Sequence, residues 1–205
     1  MNFIDISHVL DENTPVFPGD FKTSLSACKT LAADHYTTYL LQSCLHVGTH
    51  VDVPMHLIND DRAVSDFLPG DFAGKGLLLD VRGEKTIAMK PSYERLVTRQ
   101  SVVLLFTGFD KFYFQNEYFA SHPTLSPCLA DFLISREIKI LGFDMPSPDH
   151  SPFILHKKLL QNNIFILENL TNLQRLIGLE NFEVLALPLK IRAEASLVRA
   201  VCIPL

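Results

Sequence analysis

The sequence contains no tryptophan, and its four cysteines, Cys28, Cys44, Cys128 and Cys202, form no CxxC pair. A disulfide framework and a zinc ribbon are both excluded by that spacing, and reduced thiols acting mostly as small buried hydrophobes are expected. Positive charge is also scarce: 18 Lys and Arg stand against 23 Asp and Glu, for a net charge of −5. With no basic stripe, nucleic acid is excluded as a partner. No apolar run approaches the roughly 20 residues needed to span a bilayer, and Met1–Asp5 has neither the basic region nor the apolar stretch of a secretory leader. A cytoplasmic protein that does not engage a membrane is expected. Internal repeats, low-complexity tracts and linkers are absent too, so residues 1–205 are expected to form one domain.

What is present is concentrated between His46 and His56, in the run His46-Val47-Gly48-Thr49-His50-Val51-Asp52-Val53-Pro54-Met55-His56. Three histidines and a carboxylate occupy even positions. In an extended chain side chains alternate faces, so His46, His50, Asp52 and His56 lean one way and Val47, Val51, Val53 and Met55 the other. The second set can enter a core while the first gathers around a divalent transition metal, whose ligands are imidazole nitrogens and carboxylate oxygens. Four residues of straight strand span roughly 13 Å, too far for His46 and His50 to meet at one ion, so the chain must bend between them. Gly48, at the midpoint, tolerates that backbone and leaves room for an ion.

Around this run the pattern is mixed α/β. Phe3–Ser7, Thr37–Val47, Leu77–Val81, Val102–Phe106, Ile138–Phe143, Ile164–Leu167, Phe182–Leu187 and Val198–Ile203 read as strands. Helices are expected over Pro91–Val97, from Ser126-Pro127 to about Arg136, and over Pro152–Gln161. The aromatic stretch Phe109–Phe119 suits either a core or a pocket rim and subunit interface. His156 shares a helical face with Phe153, Leu159 and Leu160, which fits a core histidine or a ligand. Glu168 ends a buried strand, where an unpaired charge would be costly; a salt bridge, a helix cap or a metal would satisfy it. Asp144 either orients a ligand histidine or caps the turn that follows it. Cys44 shares parity with His46. His8, His35, His122 and His150 carry no pattern and are expected on the surface or in loops, with His150 a candidate neighbour of the pocket.

The whole chain resembles the cyclase family of metal-dependent hydrolases, which includes bacterial kynurenine formamidases and isatin hydrolases. The His46–His56 run carries the resemblance. It is supported in family order by Asp5-Ile6-Ser7, Pro15-Val16-Phe17-Pro18-Gly19-Asp20, Thr107-Gly108-Phe109-Asp110, Gly142-Phe143-Asp144-Met145-Pro146-Ser147 and Ile166-Leu167-Glu168-Asn169-Leu170. The resemblance implies a swivelling β/β/α architecture and a homo-oligomer, dimer or tetramer. It also implies a site for one or two Zn or Mn ions, with His46, His50 and Asp52 at the first and Asp52, His156 and Glu168 at the second. His56 would then move protons, and Phe17 would line the substrate pocket. Two positions depart from the family: Phe17 stands where the formamidases place a Trp, and Leu197 where a Pro is usual.

Together these features point to a hydrolase of the arylformamidase kind, cleaving the carbon–nitrogen bond of a small aromatic amide, as in tryptophan catabolism. Three alternatives share the same residues. They are a cyclic-amide or lactone hydrolase, a one-metal enzyme in which His156 binds no ion, and a metal-loaded binding protein without catalysis.

Overall fold

In the computed structural model, which describes residues 2–205, thirteen strands and four α-helices follow one another along the chain. The strands are β1 (Ile4–Asp5), β2 (Ser24–Lys29), β3 (Thr38–Gln42), β4 (His50–Asp52), β5 (Ala73–Asp80), β6 (Thr86–Ile87), β7 (Val102–Phe106), β8 (Thr124–Leu125), β9 (Ile140–Phe143), β10 (Phe165–Glu168), β11 (Phe182–Leu185), β12 (Ala195–Leu197) and β13 (Val201–Pro204). The helices are α1 (Leu31–Asp34), α2 (Tyr93–Leu96), α3 (Pro127–Ser135) and α4 (Ile154–Gln161).

Nine strands make one mixed sheet in the order β1-β13-β11-β5-β7-β9-β10-β4-β12. Its centre, β5-β7-β9-β10, is parallel; the flanks pair antiparallel. Parallel strands are buried on both faces and so read as unbroken apolar runs. In β7, Val102, Leu104 and Phe106 enter one core, while Val103 and Leu105 enter the other with Leu129 and Leu133 of α3 and Leu159 and Leu160 of α4. The first core also joins Val51 of β4 to Cys202 of β13, strands far apart in the sheet order, because the sheet curls. Backbone hydrogen bonds from Ile6 to Ala200, Thr171 to Ile6 and Val198 to Thr49 close the curl. This is the mixed α/β sheet of the expected swivelling β/β/α architecture.

The expected central strands and the helices α3 and α4 form close to where the pattern places them. Ser126 caps α3 by accepting the Leu129 N–H, and Pro127 follows it. The strand expected over Thr37–Val47 stops at Gln42, and a separate strand, β12, forms over Ala195–Leu197. The thiols depart from expectation: none is bonded to another, but Cys28 and Cys128 are exposed and only Cys202 is buried. Among the described residues no helix is long and apolar enough to cross a membrane.

Candidate functional site

The bend expected between His46 and His50 is present. Gly48 adopts φ +59°, a left-handed conformation that favours glycine. The nearest atoms to a β-carbon built there belong to Leu10, Thr14 and Tyr113, at 3.7 to 3.9 Å. Glycine is therefore needed for the backbone angle, and the expectation that it clears space for an ion is corrected. The even-position pattern holds within β4, where His50 and Asp52 share a face and Val51 is fully buried on the other. His46 arrives through the bend before β4, and His56 through a single 3₁₀ turn, Pro54–His56. That turn breaks the alternation, so Met55, expected in the core, is 40% exposed.

The antiparallel register of β4 and β10 sets Glu168 directly opposite His50, and residues so paired project from the same face. His50 Nε2 lies 3.5 Å from Glu168 Oε2 and 3.5 Å from Asp52 Oδ1. From the first turn of α4, His156 brings Nε2 to 3.3 Å from Asp52 Oδ2, with Nδ1 4.0 Å from Glu168 Oε1. Asp149 accepts the Leu155 N–H at 2.7 Å and so anchors that turn. His46 places Nδ1 2.9 Å from Asp52 Oδ1, and the His56 ring lies 4.0 Å from the His46 ring and 5.6 Å from that of His156.

Most of these groups are buried and unsatisfied. His50 Nε2, both Asp52 oxygens, His156 Nε2 and Glu168 Oε1 are buried without a hydrogen-bond partner. Their mutual approaches lack hydrogen-bond alignment, although several are short enough. His50 Nδ1 donates to the Gly48 carbonyl at 2.9 Å, which assigns the proton to Nδ1 and leaves the Nε2 lone pair free. Orphaned buried polar atoms are costly, and a cation among them removes the cost. His50, Asp52 and Glu168 form one group whose ligand atoms lie within 4.8 Å of one another, and His46, Asp52 and His56 form a second. The donor set, imidazole nitrogens with carboxylates, suits a transition dication.

The electrostatics agree. Burial opposes the Asp52 charge, but His46 and His50 hold its carboxyl well below the usual carboxylate range. Burial and the repulsion of Asp52 push Glu168 up, although His50 opposes the shift. Two buried carboxylates this close resist shared ionisation unless positive charge lies between them. Burial disfavours the His46 cation, yet Asp52 and Glu194 raise it to about 11. His56 is pushed down to about 4, chiefly by burial and also by the neighbouring histidines, against the attraction of Asp52. It is therefore neutral near pH 7.

A cavity of about 260 Å³ opens onto this cluster, lined by His46, Asp52, His56, His156 and Glu168 on one side. Opposite them Phe17 meets Phe119 edge-on, with ring centres 5.7 Å apart, and Phe153 at 6.5 Å. Phe17 thus stands where the sequence reading put it, as one of three phenylalanines rather than a lone wall. The aromatic stretch divides between both readings: Tyr113 and Tyr118 are buried, while Phe119 faces the cavity.

Three residues escaped the sequence reading. Glu194 Oε1 accepts from His46 Nε2 at 3.2 Å, Ser147 Oγ is a buried unpartnered hydroxyl in the cavity wall, and Asn169 Nδ2 donates to the Gly48 carbonyl at 2.9 Å. Only Asn169 left a local signal, beside Glu168 in the Ile166–Leu170 run.

Asp144 touches no histidine and caps no following turn, against both expectations for it. It accepts from the Thr107 N–H, the Thr107 hydroxyl and the Gly108 N–H, tying β9 to the loop after β7. Cys44 does not line the cavity. His122, expected on the surface, is buried and stacks on exposed His150 at 4.1 Å, in a different cavity. His8 stacks on Tyr113 at 3.7 Å, and His35 is exposed in a left-handed cap.

Comparison with known proteins agrees with this geometry. The family model described as "Putative cyclase" matches residues 4–150. A kynurenine formamidase of Bacillus cereus is 32% identical over 99% of this chain and 98% of its own, and one of Bacillus mycoides is also 32% identical, with the same coverage. Among solved structures, an isatin hydrolase bound to the product analogue thioisatinate superposes with a TM-score of 0.88 at 21% identity, covering 99% of this chain and 92% of that one. Isatin hydrolase A from Ralstonia solanacearum gives 0.86 at 19% identity, covering 98% of this chain and 91% of that one. At those identities the likeness is one of fold.

Proposed function

This chain belongs to the cyclase family, and from that premise we propose that residues 1–205 form one metal-dependent hydrolase domain. It cleaves the carbon–nitrogen bond of a small aromatic amide, with N-formyl aromatic amines such as N-formylkynurenine as the substrate class. The observation that carries the reading is the set of buried, unpartnered ligand atoms on His50, Asp52, His156 and Glu168 at the floor of an aromatic-walled cavity. The 32% identity to kynurenine formamidases over nearly the full length supports the choice of substrate.

One or two Zn or Mn ions would be held by His46, His50 and Asp52, with His156 and Glu168 completing a second position. When bound, such ions acidify water and polarise a carbonyl. The chain supplies the rest. Phe17, Phe119 and Phe153 hold an aromatic ring and exclude water from the cavity. Ser147 Oγ offers a hydrogen bond to a polar substituent. Neutral His56 takes a proton as the nucleophile attacks and returns it to the leaving amine. The protein works as a homo-oligomer.

The test is turnover of N-formylkynurenine by metal-replete protein, beside a panel of cyclic amides and lactones. Release of formate supports the proposal. An enzyme that leaves N-formylkynurenine intact yet opens a cyclic amide or lactone replaces it with the ring-opening reading, and no turnover of any member favours a binding protein.

A further inference from the structure

The hairpin of β2 and β3 stands apart from the rest of the molecule. It forms its own two-stranded sheet and pairs with no strand of the large one. Thr23 is the single buried residue between Phe17 and Gln42. An isolated two-stranded hairpin is marginally stable at best in water, so an arm this bare needs a surface to lie on.

Its pattern shows which face is to be covered. Cross-strand partners in an antiparallel pair project to the same side. Leu25 pairs with Leu41 and Ala27 with Tyr39, making one wholly apolar face. Ser24 pairs with Gln42 and Ser26 with Leu40 on the other, which is largely polar. Tyr39 is 60% exposed and Leu41 44%. The alternation is that of a sheet with one buried side, yet nothing in the same chain covers it.

We infer that this arm is the surface on which a second copy of the chain docks, the apolar face of Leu25, Ala27, Tyr39 and Leu41 lying against the partner. This rests on the proposal that the protein is a homo-oligomer, and names the element that makes it one. Area favours a second copy as the occupant. The exposed parts of Phe21, Leu31, Tyr36, Tyr39, Leu40 and Leu41 come to roughly 600 Å², given that aromatic side chains each present 150–250 Å² in full. That lies at the upper end of patches found on monomers and is most of the roughly 800 Å² each partner gives a standard interface. The arm's charges, Lys29 with Asp34 at 3.0 Å, neutralise one another, so nothing on it selects a charged partner. Identical copies present the same arm to each other, as a two-fold interface requires.

The experiment is the solution mass of the full-length protein at micromolar concentration, by sedimentation or light scattering, with circular dichroism as the check on folding. Three proteins are compared: wild type, the double variant Tyr39→Ser/Leu41→Ser, and Ser26→Lys on the polar face. The expected result is an oligomeric wild type and Ser26→Lys, with the double variant folded at its monomer mass of 23.1 kDa. A monomeric wild type overturns the homo-oligomer and this inference with it. An oligomeric wild type whose mass survives the double substitution overturns the docking arm alone and leaves the oligomer standing. Neither result bears on turnover, so the hydrolase reading is tested separately.

Discussion

Glu194 Oε1 lies 3.2 Å from His46 Nε2, and the opposite ring nitrogen, Nδ1, lies 2.9 Å from Asp52 Oδ1. Glu194 thus takes the Nε2 proton and turns Nδ1 toward the cluster, whereas His50 is oriented the other way, with Nδ1–H on the Gly48 carbonyl and Nε2 inward. The Glu194 carbonyl accepts the Val53 N–H at 3.1 Å, so its position is set by the backbone on the motif's own segment.

Removing that acceptor should weaken metal binding. Glu194→Ala is expected to lower metal affinity by on the order of 10- to 100-fold, the usual effect of losing a group that orients a ligand histidine. Glu194→Gln keeps an acceptor oxygen and should lose less. Competitive chelator titration measures both. Equal affinity in all three proteins would mean that Glu194 does not orient His46.

Proton transfer and metal binding should separate between two histidines. His56→Ala is expected to lower kcat by on the order of 10²–10⁴ with metal content near normal, while His50→Ala loses metal and activity together. Elemental analysis beside steady-state kinetics decides it. If His56→Ala strips metal as thoroughly as His50→Ala, His56 is a ligand.

The cavity wall should be read in KM. Phe17→Ala opens the Phe17–Phe119–Phe153 cluster and is expected to raise KM for N-formylkynurenine; Phe17→Trp adds ring surface and should lower it. Metal content stays constant in both. No change in KM from either substitution would remove Phe17 from the substrate's surroundings.

Metal removal should also cost stability. At a free metal concentration of 100 times Kd, binding adds about 2.7 kcal/mol, equivalent to roughly 5–10 °C in Tm for a chain of this size. Chelated protein should melt lower by that amount and recover when Zn or Mn is added. A Tm indifferent to both would contradict a metal held by the folded cluster.

A separate pH effect is expected from His122. Burial pushes it down to about 4, against its hydrogen bond to the Pro123 carbonyl and with some help from His150. The unfolded chain, with its ordinary value near 6.5, binds the proton first. The stability contributed by neutral His122 is therefore complete above about pH 6.5 and is lost as pH falls from there to about 4, by at most about 1.4 kcal/mol per pH unit. Denaturant titrations of chelated wild type and His122→Gln should diverge only in that window. Parallel curves would show that His122 titrates alike in both states.

The fold was legible in the sequence where burial is two-sided. Val102–Phe106 is apolar at every position, and only a central strand uses such a run; Ser126-Pro127 marks the start of α3 by its own capping chemistry. The ends of the sheet were harder to read. His46 was assigned to a strand that stops at Gln42, because β-branched and apolar residues alone do not reveal where pairing ends. Met55 was assigned to a core it does not reach, because the alternation fails at the turn after Val53. The arm was half seen: β3 was expected, but β2, rich in serine, carries no strand signal without its partner.

For the candidate site, the local sequence determined the bend at Gly48, the common face of His50 and Asp52, and the choice of metal-binding residue types, since each follows from backbone geometry and side-chain chemistry within a few residues. Whole-chain resemblance added His156 and Glu168. Tertiary structure alone decided that Glu168 stands opposite His50, that Glu194 meets His46 and that three phenylalanines face the cluster. Those relations depend on strand register and on the curl of the sheet. Both are set by how two buried faces pack across the entire chain, a property that no single segment contains.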